Sequence, residues 1–238
     1  MLKQMIARGN GTRPRRTTRM LVSVLLVLST AIGLPIAAST SAHADIESCD
    51  YSTWYMITSY YATNYQGDGR TYEDLDIAGP STASGAAIHL WDWYSNATTG
   101  TASTGGGSQV WCRQKIAGNE YRLISYYTYL QTGSFSSIDI SGPSTADGSL
   151  LHQWTDGPTT SQYWYLVDTG LLDTNPNHRS YLQELYQLVS AYSGTCMDDT
   201  GWGGRGTQLG IWGCKNFDLS NPSSTNQLFF LNPVYPNP

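Results

Sequence analysis

Asp76 is followed after 13 residues by His89 and after 15 by Trp91, and Asp139 is followed by His152 and Trp154 at the same two distances. A third set, Asp198, Gly210 and Trp212, repeats the order with each spacing one residue shorter. A carboxylate only accepts hydrogen bonds, an imidazole donates or accepts according to pH, and an indole offers a broad apolar face. Such a set can grip a ligand by its polar edge and cover its apolar face. It is poorly suited to breaking bonds. Hydrolysis by paired carboxylates needs two acids converging on one bond, and each set holds one. Asp198 and Asp199 are adjacent, but neighbours on a strand point to opposite faces. No Gly-x-Ser-x-Gly, HExxH or phosphate-loop pattern occurs. His89 and His152 stand at equivalent places in two repeated units, so they should face different ways. Zinc needs about four convergent ligands, and neither a metal nor a cofactor is expected.

The elements that carry these residues are repeats. Gly79–Trp91 reads GPSTASGAAIHLW and Gly142–Trp154 reads GPSTADGSLLHQW, with 8 of 13 positions identical. Each unit opens on Tyr-x-aliphatic-x-Ser-x-Tyr, at 55–61, 121–127 and 186–192. That alternation predicts a strand with one buried face. A short acid-bearing strand follows (LDI 75–77, IDI 138–140, MDD 197–199), then a Gly/Ser/Thr loop leading to IHLW, LHQW or GIW. Gln-x-aromatic closes each unit at 109–111, 162–164 and 227–229. The helix-like SYLQELYQLVS at 180–190 overlaps the third opening strand and is read as loop, then strand. Three units with about four strands each predict an all-β chain, a β-trefoil with pseudo-symmetric repeats over roughly 50–117, 118–176 and 177–232. A four-bladed propeller would need another unit, and a sandwich would not explain the threefold period. Gly85, Gly148 and Gly206 are expected at turns with positive φ.

Residues 1–44 read as a secretory signal: a basic start, the apolar run LVSVLLVLSTAIGLPIAA, and SAHA before Asp45. Pro35 and the small-x-small site favour cleavage over a membrane anchor. The mature part, 45–238, is expected to be one extracellular domain. It holds 7 Lys and Arg against all 18 acids, a net charge of −11. That balance excludes a cationic footprint for nucleic acid and disfavours anionic membranes. Export makes disulfides the expected state of the four cysteines.

From the Gln-x-aromatic motifs, the hydrophobic-Asp strands and the Cys-x-Asp…Trp-x-Cys frame of the third unit, the chain resembles the ricin B-chain-like (R-type) lectins over about 50–232, in a secreted bacterial form. The resemblance implies up to three sugar pockets and no catalysis. Their residues would be Asp76, His89, Trp91 and Gln109 in unit one, and Asp139, His152, Trp154 and Gln162 in unit two. Unit three would supply Asp198, Trp212, Asn226 and Gln227. The chain departs from the family in having His89 and His152 where Gln is common. It also has Gly210 at that place in unit three, and Ser108 and Ser161 where Asn is usual. Units one and two are expected to bind, with unit three close behind. The implied partner is a polysaccharide or cell-surface glycan of galactose or xylan type, bound by a monomer without membrane insertion. The resemblance pairs Cys196 with Cys214, which leaves Cys49 with Cys112. Each feature has a plainer reading: the Asp residues as turn caps, the pocket Trp residues as core, and the Gln residues as backbone ligands. Trp111, Trp164 and Phe229 are expected in the core. Loops 62–74, 94–108 and 171–180 leave open an alternative, a protein-binding trefoil such as a protease inhibitor or an accessory subunit of a toxin or hydrolase.

Overall fold

The computed structural model describes residues 49, 54–66, 72–94, 106–178 and 180–234. The expected secretory signal at 1–44 and parts of the first two loops lie outside the described residues. Each unit contributes four strands. Unit one has β1 (Trp54–Ser59), β2 (Glu73–Ile77), β3 (Ile88–Asp92) and β4 (Val110–Ala117). Unit two has β5 (Glu120–Ser125), β6 (Ser136–Ile140), β7 (Leu151–Thr155) and β8 (Trp164–Leu172). Unit three has β9 (Glu184–Ser190), β10 (Cys196–Asp198), β11 (Gly210–Trp212) and β12 (Phe229–Pro233).

The opening strands stop earlier than the alternation predicts, at Ser59, Ser125 and Ser190, and each serine explains why. Its Oγ accepts a backbone hydrogen bond from the turn beyond: Ala62 N, Thr128 N and Tyr192 N, each at 3.1 Å. A serine hydroxyl competes for backbone donors in this way and ends regular structure. In unit two the turn extends into a helix not anticipated from sequence, α1 (Tyr126–Thr132), capped by Ser125 and closed by Gly133 at φ 67°.

The first and fourth strands of the units form a closed antiparallel ring, β1–β4–β5–β8–β9–β12 and back to β1. Closure leaves the ring without an edge. The hairpins β2–β3, β6–β7 and β10–β11 cap it, each hung from its own opening strand. Trp111, Trp164 and Phe229 sit at the same register, opposite Tyr55, Tyr121 and Tyr186. All three are fully buried, as expected, among Ile57, Leu123, Leu188 and the cap residues Ile88, Leu151 and Leu209. Gln153 occupies the core place that Leu90 and Ile211 hold in the other hairpins. Its amide donates to Ser81 O and Ala83 O and accepts from Thr128 Oγ1 of α1, so no polar atom is stranded.

The three hairpins also interlock. Gly85 N donates to Gln153 O and Gln153 N to Ala86 O, both at 2.8 Å. Gly148 and Ile211 repeat the exchange at 2.8 and 2.9 Å through Ser149, and Gly206 and Leu90 at 2.7 and 2.9 Å through Thr207. The glycines have the positive φ expected of them: 91°, 82° and 87°. The bridge 171–180 is more tightly held than its composition suggests, because buried Asp173 accepts from Asn175 N, Ser180 Oγ and the His178 ring.

Both disulfides are present: Cys49–Cys112 over 63 residues and Cys196–Cys214 over 18. Chain entropy makes the longer closure worth about 4 kcal/mol and the shorter about 3 kcal/mol. Urea unfolding of Cys49→Ser/Cys112→Ser and Cys196→Ser/Cys214→Ser proteins should therefore give the larger loss for the first pair.

Candidate functional site

Within each cap hairpin the acid and the aromatic share a face. Asp76 lies directly across from His89, and Asp139 from His152. Asp198 lies across from Gly210. The tryptophan two residues further on points the same way. The expected sets are thus brought together, one per unit. Asp76, Asp139 and Asp198 are buried at the base, whereas Trp154 and Trp212 are 46% and 43% exposed and Trp91 is half-buried. The pocket tryptophans are not core residues.

The loop of one unit backs the tryptophan of another. A Cβ on Gly85 would sit 3.8 Å from Trp154, one on Gly148 3.4 Å from Trp212, and one on Gly206 3.7 Å from Trp91. This explains the twice-written GPSTA sentence. It builds the wall beside the neighbouring ring, and the left-handed backbone at the point of contact, rather than any lack of room for a Cβ, calls for glycine.

Gln109, Gln162 and Gln227 are not at the ligand face, which corrects the expectation that they touch sugar directly. All three are fully buried. Each accepts from the backbone N–H of Tyr94, Gly157 or Lys215 and donates to the carbonyl of Asp92, Thr155 or Gly213. Gln162 and Gln227 also donate to Asp139 Oδ2 (3.1 Å) and Asp198 Oδ2 (2.9 Å). They fix the acid and the chain beyond the tryptophan, and so position the pocket from below.

The Asn-to-Ser departures have a visible consequence. Asn226 donates to Asp198 Oδ1 at 2.9 Å. With Ser108 and Ser161 at the matching places, Asp76 Oδ1 and Asp139 Oδ1 have no protein hydrogen-bond partner. The two histidines act mainly as walls. His89 stacks on Trp91 with centroids 5.3 Å apart and meets Asp76 Oδ2 at 3.1 Å, and His152 stacks on Trp154 at 5.2 Å. Burial lowers the His152 pKa against the pull of Asp139, which favours the neutral ring.

Site two is a pocket of about 650 Å³ lined by Asp139, His152, Trp154, Ser161, Pro143 and Gly85. Site three, about 390 Å³, is lined by Asp198, Trp202, Trp212, Lys215, Ser223 and Asn226. Sequence reasoning missed Trp202 and Lys215. Trp202 is 42% exposed, held at φ 50° with its indole N–H on Ser223 O. Lys215 Nζ lies 4.7 Å from its ring centroid and donates to Asn226 Oδ1 at 2.6 Å. The only available signal was a second tryptophan in the loop GWGG. Among the described residues no group of three or more His, Cys, Asp or Glu is placed to hold a metal ion. No helix among them is long and apolar enough to cross a membrane.

Residues 108–212 match the family profile described as ricin-type beta-trefoil lectin domain-like. The fold is a β-trefoil. Among solved structures, the chain is similar to ThreeFoil, a designed 3-fold symmetric protein. The TM-score is 0.54 and the identity 20%, over 76% of this chain and 98% of that one. It is also similar to 1,3Gal43A, an exo-beta-1,3-galactanase from Clostridium thermocellum. Here the TM-score is 0.54 and the identity 21%, over 77% of this chain but 30% of the galactanase. At these identities the likeness is one of fold. No curated protein sequence matches the chain.

The β-trefoil cap also buries acids beside the pockets. Burial pushes Glu73, Asp74 and Asp199 up to about 8, with neighbouring Asp92, Asp76 and Asp198 respectively adding to the rise. An unfolded carboxyl titrates near 4. The native state therefore keeps protons that the unfolded chain releases. This contribution is full below about pH 4 and is lost as pH rises through 8. The melting temperature should fall from pH 5 to pH 9, and Asp74→Asn should flatten the fall. Equal melting temperatures at the two pH values would contradict this assignment.

Proposed function

We propose that the chain is a secreted, non-catalytic carbohydrate-binding protein that grips sugar hydroxyls with buried aspartates and covers the sugar's apolar face with tryptophan. The observation that carries this reading is the pairing, in all three units, of a buried carboxylate with a tryptophan on one hairpin face. A pyranose has polar hydroxyls around its rim and a C–H face, so it matches both parts. The family match over 108–212 supports the same reading. Asp139 and Asp198 are the carboxylates lining the two pockets described, one in each. A glycosidase would need two across one bond. Repeated weak sites in one chain gain avidity on a polymer or a glycan-rich surface. The signal-like start, 1–44, supports secretion.

The test is a glycan array with residues 45–238, beside Asp76→Asn/Asp139→Asn/Asp198→Asn. Losing a hydrogen bond to a charged acceptor costs about 1.5–3 kcal/mol per site. Binding should therefore drop at least tenfold in the triple variant while its near-UV circular dichroism stays unchanged. Absence of binding by the parent protein to every glycan would transfer the function to a protein partner met by the loops.

A further inference from the structure

The three hairpin sites differ at the residue that precedes the backing glycine. Beside Trp154 this is Ser84, whose hydroxyl bonds with Thr155 Oγ1 and accepts from Thr155 N. Beside Trp212 it is Asp147, which accepts from Gly213 N at 2.8 Å. Beside Trp91 it is Arg205. Each of the three thus closes onto the residue after the tryptophan. Arg205 does so through an ion pair with Asp92 Oδ2 at 2.9 Å. Its side chain is longer than the other two, and its guanidinium carbon lies 4.3 Å from the Trp91 ring centroid.

Trp91 therefore has His89 stacked at 5.3 Å and Arg205 over its ring, both from the same chain. Among the described residues no cation lies over Trp154 or Trp212, and those residues are 46% and 43% exposed. A sugar that stacks on Trp91 has to compete with Arg205 for the ring.

Taking the sugar-binding reading as given, we infer that Arg205 is an internal plug on site one, so that the protein engages ligand first through sites two and three. The plug is a penalty rather than a wall. The Arg205 side chain is 56% exposed, and its hold combines a cation–π contact with an ion pair at the surface. Contacts of this kind together weaken a competing ligand by about tenfold. The inference reverses the order suggested by the motif, since unit one carries a full set of acid, histidine and tryptophan.

The experiment follows the indole N–H signals of Trp91, Trp154 and Trp212 by NMR in the ¹⁵N-labelled protein, titrated with lactose and separately with xylotriose. Arg205→Ser copies the Ser84 arrangement and, at an exposed position, leaves the core untouched. In the parent protein the Trp154 and Trp212 signals should move first, with Trp91 needing about tenfold more sugar. In Arg205→Ser the Trp91 midpoint should fall into line with the others, and adding Asp76→Asn should abolish the Trp91 response alone. Trp91 titrating together with the others in the parent, or keeping its lag in Arg205→Ser, would overturn the plug while leaving the sugar-binding reading intact. No movement of any indole with either sugar, in parent and variant alike, would overturn both.

Discussion

The exchange of backbone hydrogen bonds among the three cap hairpins is the constraint on which the rest depends. Gly85 with Gln153, Gly148 with Ile211 and Gly206 with Leu90 form a cycle in which each hairpin is held by the other two. The cycle fixes where each loop ends, and that places a glycine against the ring of the next unit. It also holds Ile88, Leu151 and Leu209 together over the barrel, where they join the core with Trp111, Trp164 and Phe229. Backbone donors in such a buried place must be paired or they cost free energy. The cycle pairs them without side chains. The side chains on the outer face are therefore free to differ between units, and they do.

The pocket floor shows a second economy. One buried glutamine per unit, Gln109, Gln162 or Gln227, joins the end of the second cap strand to the start of the fourth ring strand. In units two and three the same amide also orients the aspartate. The acid is held by groups that are themselves fully buried, so its geometry is set before any ligand arrives. Preorganisation of this kind reduces the ordering cost of binding.

Much of the architecture was legible because it is written three times. The Asp followed by Trp, the serine ending each opening strand and the closing Gln-x-aromatic recur in all three units, with the Asp-to-Trp spacing one residue shorter in the third, so each unit supports the reading of the others. What escaped were the features written once. Helix α1 had its signals in plain view, Ser125 before it and Gly133 after it, but its first two residues, Tyr126 and Tyr127, belong to the repeated opening motif that predicts a strand. Trp202, Lys215 and Arg205 are not repeated in residue type in the other units, so a search for repetition passes over them. Gln153 breaks the apolar pattern of its strand, and only the placement of Thr128, Ser81 O and Ala83 O around it explains how it is satisfied. Repetition reveals the scaffold, and the three sites differ where it breaks.

The glycine wall behind each pocket tryptophan has a consequence for how the protein can be divided. Each unit carries the acid and the ring of its own pocket, but the wall behind that ring comes from another unit. No pocket is therefore the property of a single repeat. Excising one unit would delete its own pocket and strip the backing from a neighbour's, leaving at most one intact. The indivisible structural unit is the full circle of three, although the sequence repeats by thirds.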